Sequence, residues 1–291
     1  MELHELDPDS AEYGFALASA AVVDFGNLTA SADGSFYTYE TTTLGDRLGL
    51  CSDERFVDQP SLAGCSATLV APDIIATAGH CVIGKAETAS ASWFDCGHLA
   101  FVFDFSLADP DAELSELDAD SVYRCDQILA AENSSEWASN REHDYALIRL
   151  DRPVVEREPV AVRGGPGITA DEAIVTIGHP SGLPQKIAYG ITRDKIDGRP
   201  YDGFAYEAEL LGGGSGGGVF DLASGTLMGM PSHYNGANYR YDPARDCNEL
   251  AICGVNTGCS SLPGAYDTVT MLERIPTEVA ALLDARAPVR P

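Results

Sequence analysis

Basic residues are scarce in this 291-residue chain. Lys and Arg number 18 against 45 Asp and Glu, a formal charge of −27, and the only lysines are Lys85, Lys186 and Lys195. A surface of that sign repels nucleic acid and anionic lipid at long range, so neither is expected as a partner. No run of about 18 apolar residues occurs, which argues against a helical membrane span. No CxxC pair occurs either, which argues against a zinc ribbon or a dithiol redox motif. A basic leader is also missing: "MELHELDPDSAEYGFALASAAVV" has an apolar part, but its first segment is acidic where a secretory signal carries Lys or Arg.

What is present is cysteine in even number. Eight residues (51, 65, 81, 96, 125, 247, 253 and 259) read as disulfides formed in an oxidising compartment, so a secreted or periplasmic location is expected. Export then requires a leader trimmed from this sequence or an unusual route. Residues 1–50 read as an acidic N-terminal extension or pro-segment with one strand-like piece, "SFYTYETTT". From residue 62 the texture is all-β. The runs "CSATLVA", "IIATAG", "HLAFVFDF", "YALIRL", "AIVTIG", "GGVFDL" and "TLMGM" are rich in Val, Ile, Phe and Thr and broken by Gly, Pro and Asp, as in a sandwich or barrel. Helical periodicity comes late, in "TVTMLERIPTEVAALLDA", where Pro276 and Thr277 can open a C-terminal helix. Residues 104–120 are acidic without the glycine or spacing of a calcium loop and read as solvated surface. Residues 231–264 read as a long loop pinned by disulfides.

The stretch "ELLGGGSGGGVFD", residues 209–221, surrounds one serine with six glycines. A flexible linker is built this way. So is a serine on a sharp bend whose neighbouring amides must approach a reacting carbonyl. His80 lies in "IIATAGHCV", just after a buried-looking strand and just before Cys81. Cys65, opening the preceding run, could clamp that strand end by bonding to Cys81. Asp144, in "EHDYALIRLDRPV", stands where a half-buried carboxylate can orient an imidazole. Alone, His80 reads first as a structural histidine and Asp144 as a turn or strand-entry residue. Together with Ser215 they supply base, orienting acid and nucleophile, each in its own strand-loop context. The amides of Gly213 and Ser215 could then face one developing oxyanion.

"TAGHC", "DYALIRL" and "GGGSGGGVF" resemble the three signature segments of the trypsin-like (chymotrypsin-fold) serine peptidases. "LVAPDIIATAGHC" and "IGHPSGLPQK" resemble the bacterial glutamyl-endopeptidase-like (V8-like) branch, and the likeness spans roughly residues 55–235. It implies an all-β fold of two six-stranded antiparallel barrels with the active site in the cleft between them. The expected domain is 51–291, its barrels meeting near 151–170. The resemblance also implies a secreted serine endopeptidase acting through an acyl-enzyme on protein or peptide substrates, as a monomer, with no cofactor and no metal. By it Ser215 is the nucleophile, His80 the general acid-base, Asp144 its orienting carboxylate, and Cys65–Cys81 a disulfide beside the histidine. Cys96–Cys125 is the favoured next pairing.

Several positions depart from the family pattern. Gly214 replaces the residue that in animal relatives is an aspartate capturing a new N-terminus, Gly218 replaces the usual proline, and Leu211 replaces a pocket cysteine. The pocket is expected to involve Glu209, Leu210 and Ser232. A carboxylate at Glu209 would favour Arg or Lys before the scissile bond. Glutamate-cleaving relatives place a histidine where Pro231 stands, with His233 two residues on, so glutamyl specificity ranks lower. The alternatives are a glutamyl or apolar-specific endopeptidase of the same fold and a non-catalytic binding module on it. A stress-type protease of the HtrA kind is disfavoured, because the residues after Ser215 are needed to finish the second barrel.

Overall fold

Short Val-, Ile- and Thr-rich runs leave unpaired edges unless the sheet they form closes on itself. The computed structural model describes residues 1–83, 95–136, 141–163, 168–193, 203–208, 214–233, 239–250 and 267–271. In it the sheets close twice, as two six-stranded antiparallel barrels.

The first barrel contains β1 (Ser19–Asp24), β2 (Cys65–Ala71), β3 (Ile74–Thr77), β4 (Leu99–Val102), β5 (Val122–Glu136) and β6 (Arg141–Leu150). Its hydrogen-bonded order is β1-β2-β3-β6-β5-β4. The second contains β7 (Ala173–Gly178), β8 (Lys186–Arg193), β9 (Gly203–Ala208), β10 (Gly218–Asp221), β11 (Thr226–His233) and β12 (Asp267–Met271). Its order, β7-β8-β9-β12-β11-β10, repeats the wiring of the first. Between them the chain crosses from Leu150 to Ala173. Val175, Ile177 and Phe220 of the second barrel share one apolar cluster with Leu69, Ile75 and Ile148 of the first, so the two barrels bury their facing strands against each other. The C-terminal helix expected from Pro276 onward lies outside the described residues.

Residues 1–50 pack on this body, and Ser19–Asp24 within them form one of its barrel strands. The apolar stretch that resembled a defective leader is a short helix followed by a barrel strand. Ser10 caps the helix Ala11–Leu17 by accepting from the Tyr13 N–H, and Phe15 on that helix stacks on Phe220 at 4.5 Å between ring centres. β1 follows at once and pairs with both β2 and β4, so the first barrel cannot close without it. Ahead of the helix, Glu2 reaches the second barrel, where the Lys186 ammonium donates to its carboxylate at 2.8 Å and to Gln59 Oε1 at 2.8 Å. Burial lowers the Lys186 pKa to about 8, with Glu2 opposing the shift.

"SFYTYETTT" contributes the strand Phe36–Tyr39 to a small sheet with Leu28–Ala30 and Glu116–Asp118, the last from the acidic stretch. Within 231–264 the described part includes a hairpin, Tyr239–Asp242 with Cys247–Leu250. The Cys51–Cys247 disulfide fastens it beside the helix Leu44–Leu48, and the Cys51 N–H donates to the Asn248 carbonyl at 2.9 Å. Cys96 and Cys125 are bonded to each other. Cys253 and Cys259 lie outside the described residues. Among the described residues no helix is long and apolar enough to cross a membrane.

Candidate active site

Gly79, His80 and Cys81 form a tight turn at the end of β3. Glycine is needed there, since a Cβ on Gly79 would lie 1.9 Å from the Glu132 carbonyl oxygen. The turn is held from behind by the Cys65–Cys81 disulfide, which joins neighbouring strands β2 and β3. Asp144 sits within β6, opposite Asn133 of β5, and is 2% exposed. Its carboxylate holds His80 twice: Oδ1 accepts from the His80 main-chain N–H at 2.7 Å and Oδ2 from ring Nδ1 at 2.7 Å. Donation from Nδ1 fixes the tautomer that leaves Nε2 as the basic nitrogen.

Ser215 stands at the second position of a β-turn, Gly214 to Gly217, closed by the Gly217 N–H donating to the Gly214 carbonyl at 2.9 Å. Gly216, at the third position, has φ 79°, the left-handed value a type II turn requires there. A side chain on Gly216 would also strike Thr77 Oγ1 at 2.2 Å and the Ser66 carbonyl at 2.4 Å. The described part of the glycine run, Gly214 to Gly218, is thus a packed turn and the start of a strand. From Gly214 to Gly218 only Ser215 reaches the surface to any degree, and Gly216 is crowded by Ser66, Thr77 and Ala78 of the first barrel while Gly217 is crowded by Ile177 of its own.

The Ser215 carbonyl accepts from the Ser66 N–H at 2.8 Å and lies 3.8 Å from Cys81 Sγ, which brings the serine turn against the strand ends that carry His80. Among the described residues the hydrogen bonds of His80 are those to Asp144, and none joins its ring to the Ser215 hydroxyl. Gly213, Glu209, Leu210 and Leu211 lie outside the described residues. So do the side chains of Ser232 and His233, although both belong to β11. Pro231 is buried on β11 and accepts from the Gly216 N–H at 3.0 Å. Among the described residues one cluster has metal-ligand composition, Cys65, His80 and Cys81, and its two sulfurs are bonded to each other.

Two residues that support this arrangement escaped the sequence reading. Thr77 donates its hydroxyl to the Ser66 carbonyl at 2.7 Å, and Ser66 is wholly buried. Their signal was present in "CSATLVA" and "IIATAG", where a hydroxyl inside an apolar strand must find a partner.

A trypsin-like peptidase domain model matches residues 65–230, more than half of the chain. The chain belongs to the trypsin-like peptidase family. His80, Asp144 and Ser215 all fall within the matched span. Among solved structures this peptidase is similar to the VesB protease of Vibrio cholerae, at 12% identity and a TM-score of 0.52, over 91% of this chain and 63% of that one. It is similar to human heparin binding protein at 12% identity and a TM-score of 0.52, over 95% of each chain. The serine endoprotease of Yersinia pestis aligns at 15% identity and a TM-score of 0.49, over 97% of this chain and 70% of that one. At such identities the likeness is one of fold. No curated protein matches the chain in sequence.

Proposed function

We propose that this trypsin-like peptidase is a catalytically active serine endopeptidase, with Ser215 as nucleophile, His80 as general acid-base and Asp144 as the carboxylate that orients it. Ser215 Oγ attacks the scissile carbonyl while His80 Nε2 takes its proton. The oxyanion is met by the amides of Gly213 and Ser215. Collapse of the tetrahedral adduct breaks the C–N bond, the amine leaves with the proton held by His80, and water hydrolyses the resulting ester by the same route in reverse. The observation that carries this reading is the double grip of Asp144 on His80, beside the one serine of the glycine turn. A grip of that form fixes the ring and its tautomer, which is what a general base needs.

Glu209 favours Arg or Lys before the scissile bond, by the charge-assisted hydrogen bond a carboxylate offers a cation. The three disulfides among the described residues support a secreted or periplasmic site of action. The segments shared with the V8-like branch support kinship with it, without its preference for glutamate. A fluorophosphonate probe tests the triad: one adduct, on Ser215, abolished by Ser215→Ala. Folded, oxidised protein that takes up no probe would instead be a binding module on the protease fold. Cleavage of a mixed peptide library tests the pocket, with Glu209→Ala weakening any preference for Arg or Lys.

A further inference from the structure

Ser66 is fully buried where the barrels meet, and each of its polar groups holds a different part of the site. Its N–H donates to the Ser215 carbonyl at 2.8 Å, reaching the turn that carries the serine. Its carbonyl accepts from the Thr77 hydroxyl at 2.7 Å, on the strand that leads into His80. Its own Oγ accepts from the His179 N–H at 2.8 Å, just past the end of β7 in the opposite barrel. Only this last bond depends on the side chain. Gly178 is fitted to it, since a Cβ there would come within 2.8 Å of Ser66 Oγ and 3.3 Å of Ser66 Cβ.

We propose that the Ser66 side chain is a positioning residue for the reaction. By holding the His179 N–H it sets the register of the second barrel, with its Ser215 turn, against the strand end of the first that presents His80. Ser66 touches no reacting atom. The inference rests on the roles given above to Ser215 and His80. A hydroxyl-free side chain at this position leaves a buried donor unpaired and frees the two barrel ends to settle apart. Nucleophile and base then meet less often in reacting geometry, which slows bond making without weakening the binding of what is to be cut.

The test follows fluorophosphonate inactivation across probe concentrations in the wild type, Ser66→Ala, Gly178→Ala and the double variant. Ser66→Ala should lower the limiting first-order constant about tenfold while the half-saturating concentration stays within about twofold, the split expected of misplacement rather than lost binding. Gly178→Ala, which pushes on Ser66 Oγ, should lower it similarly, yet add less in the Ser66→Ala background, where the nearer of the obstructing atoms is gone and Cβ at 3.3 Å remains. A folded Ser66→Ala that reacts at the wild-type limiting rate overturns the inference. So does a Gly178→Ala effect of equal size in both backgrounds. Should Ser66→Ala not fold, the limiting constant of Gly178→Ala decides alone, lowered in support or unchanged against. A wild type that never reacts would fail the Ser215 assignment itself, an outcome distinct from a reactive wild type with unaffected variants.

Discussion

The carboxylate of Asp144 binds His80 at two atoms at once, its main-chain N–H and its ring Nδ1, both at 2.7 Å. The first contact positions the residue and the second selects its tautomer, so the carboxylate acts on geometry and charge together. Asp144→Asn retains the shape and one acceptor while offering a donor to the ring. Peptide cleavage should fall about 10⁴-fold with little change in melting temperature, because the imidazole is held in the wrong tautomer. A loss of less than about tenfold would contradict the assigned role.

Gly216 and Gly14 form a matched pair for testing whether the glycines near Ser215 are structural requirements. Gly216→Ala meets both a left-handed backbone and three atoms within 2.7 Å, and should cost roughly 3–5 kcal/mol in urea denaturation from strain and overpacking combined. Gly14→Ala, within the helix Ala11–Leu17 and with nothing inside 4 Å, should stabilise by about 0.5–1 kcal/mol. A tolerated Gly216→Ala would revive the linker reading.

His179 is fully buried, donates from Nδ1 to the Leu183 carbonyl at 3.2 Å and stacks on Phe105. Burial lowers its pKa from 6.5 to about 3. The unfolded chain therefore takes up a proton near pH 6.5 that the folded one refuses until about pH 3. Its contribution to stability is complete above the higher value and drains away as pH falls toward the lower. Urea midpoints measured from pH 7 to pH 4 should fall more steeply for the wild type than for His179→Asn, which keeps a donor but does not titrate. Parallel slopes would rule His179 out as the group responsible.

Glu2 and Lys186 make the buried ion pair that anchors the N-terminal segment, with the Lys186 side chain 5% exposed. Glu2→Ala strands a cation and should cost about 3 kcal/mol, part of which Lys186→Met restores when added to it. Thermal melts of the two variants check this, and a double variant less stable than Glu2→Ala alone would refute it.

Much of the architecture was legible in short runs of residues. "CSATLVA" and "AIVTIG" coincide with β2 and β7, because Val, Ile and Thr between Gly and Pro leave few other options. β1 was not legible. "SAAVVD" is rich in Ala and buried along nearly its whole length, so it offers no alternation to distinguish a strand from a leader. At the site, the histidine and aspartate could be read from their strand contexts, and the structure joins them. Ser66 could not, for a single buried hydroxyl announces that it has a partner but not which one. That partner, the His179 N–H, lies 113 residues away in the other barrel.

The bond between Cys51 and Cys247 bears on how the molecule is made. Cys65 and Cys96 find their mates 16 and 29 residues downstream, whereas Cys51 must wait for one 196 residues later. During synthesis its thiol emerges well before its own mate exists, with wrong partners such as Cys65 and Cys81 nearer at hand. This link therefore closes only after five of the six strands of the second barrel have been produced and the hairpin that carries Cys247 has been placed. Each wrong pairing that Cys51 makes in the meantime has to be undone by thiol exchange, a step of seconds to hours that strand pairing alone would not require.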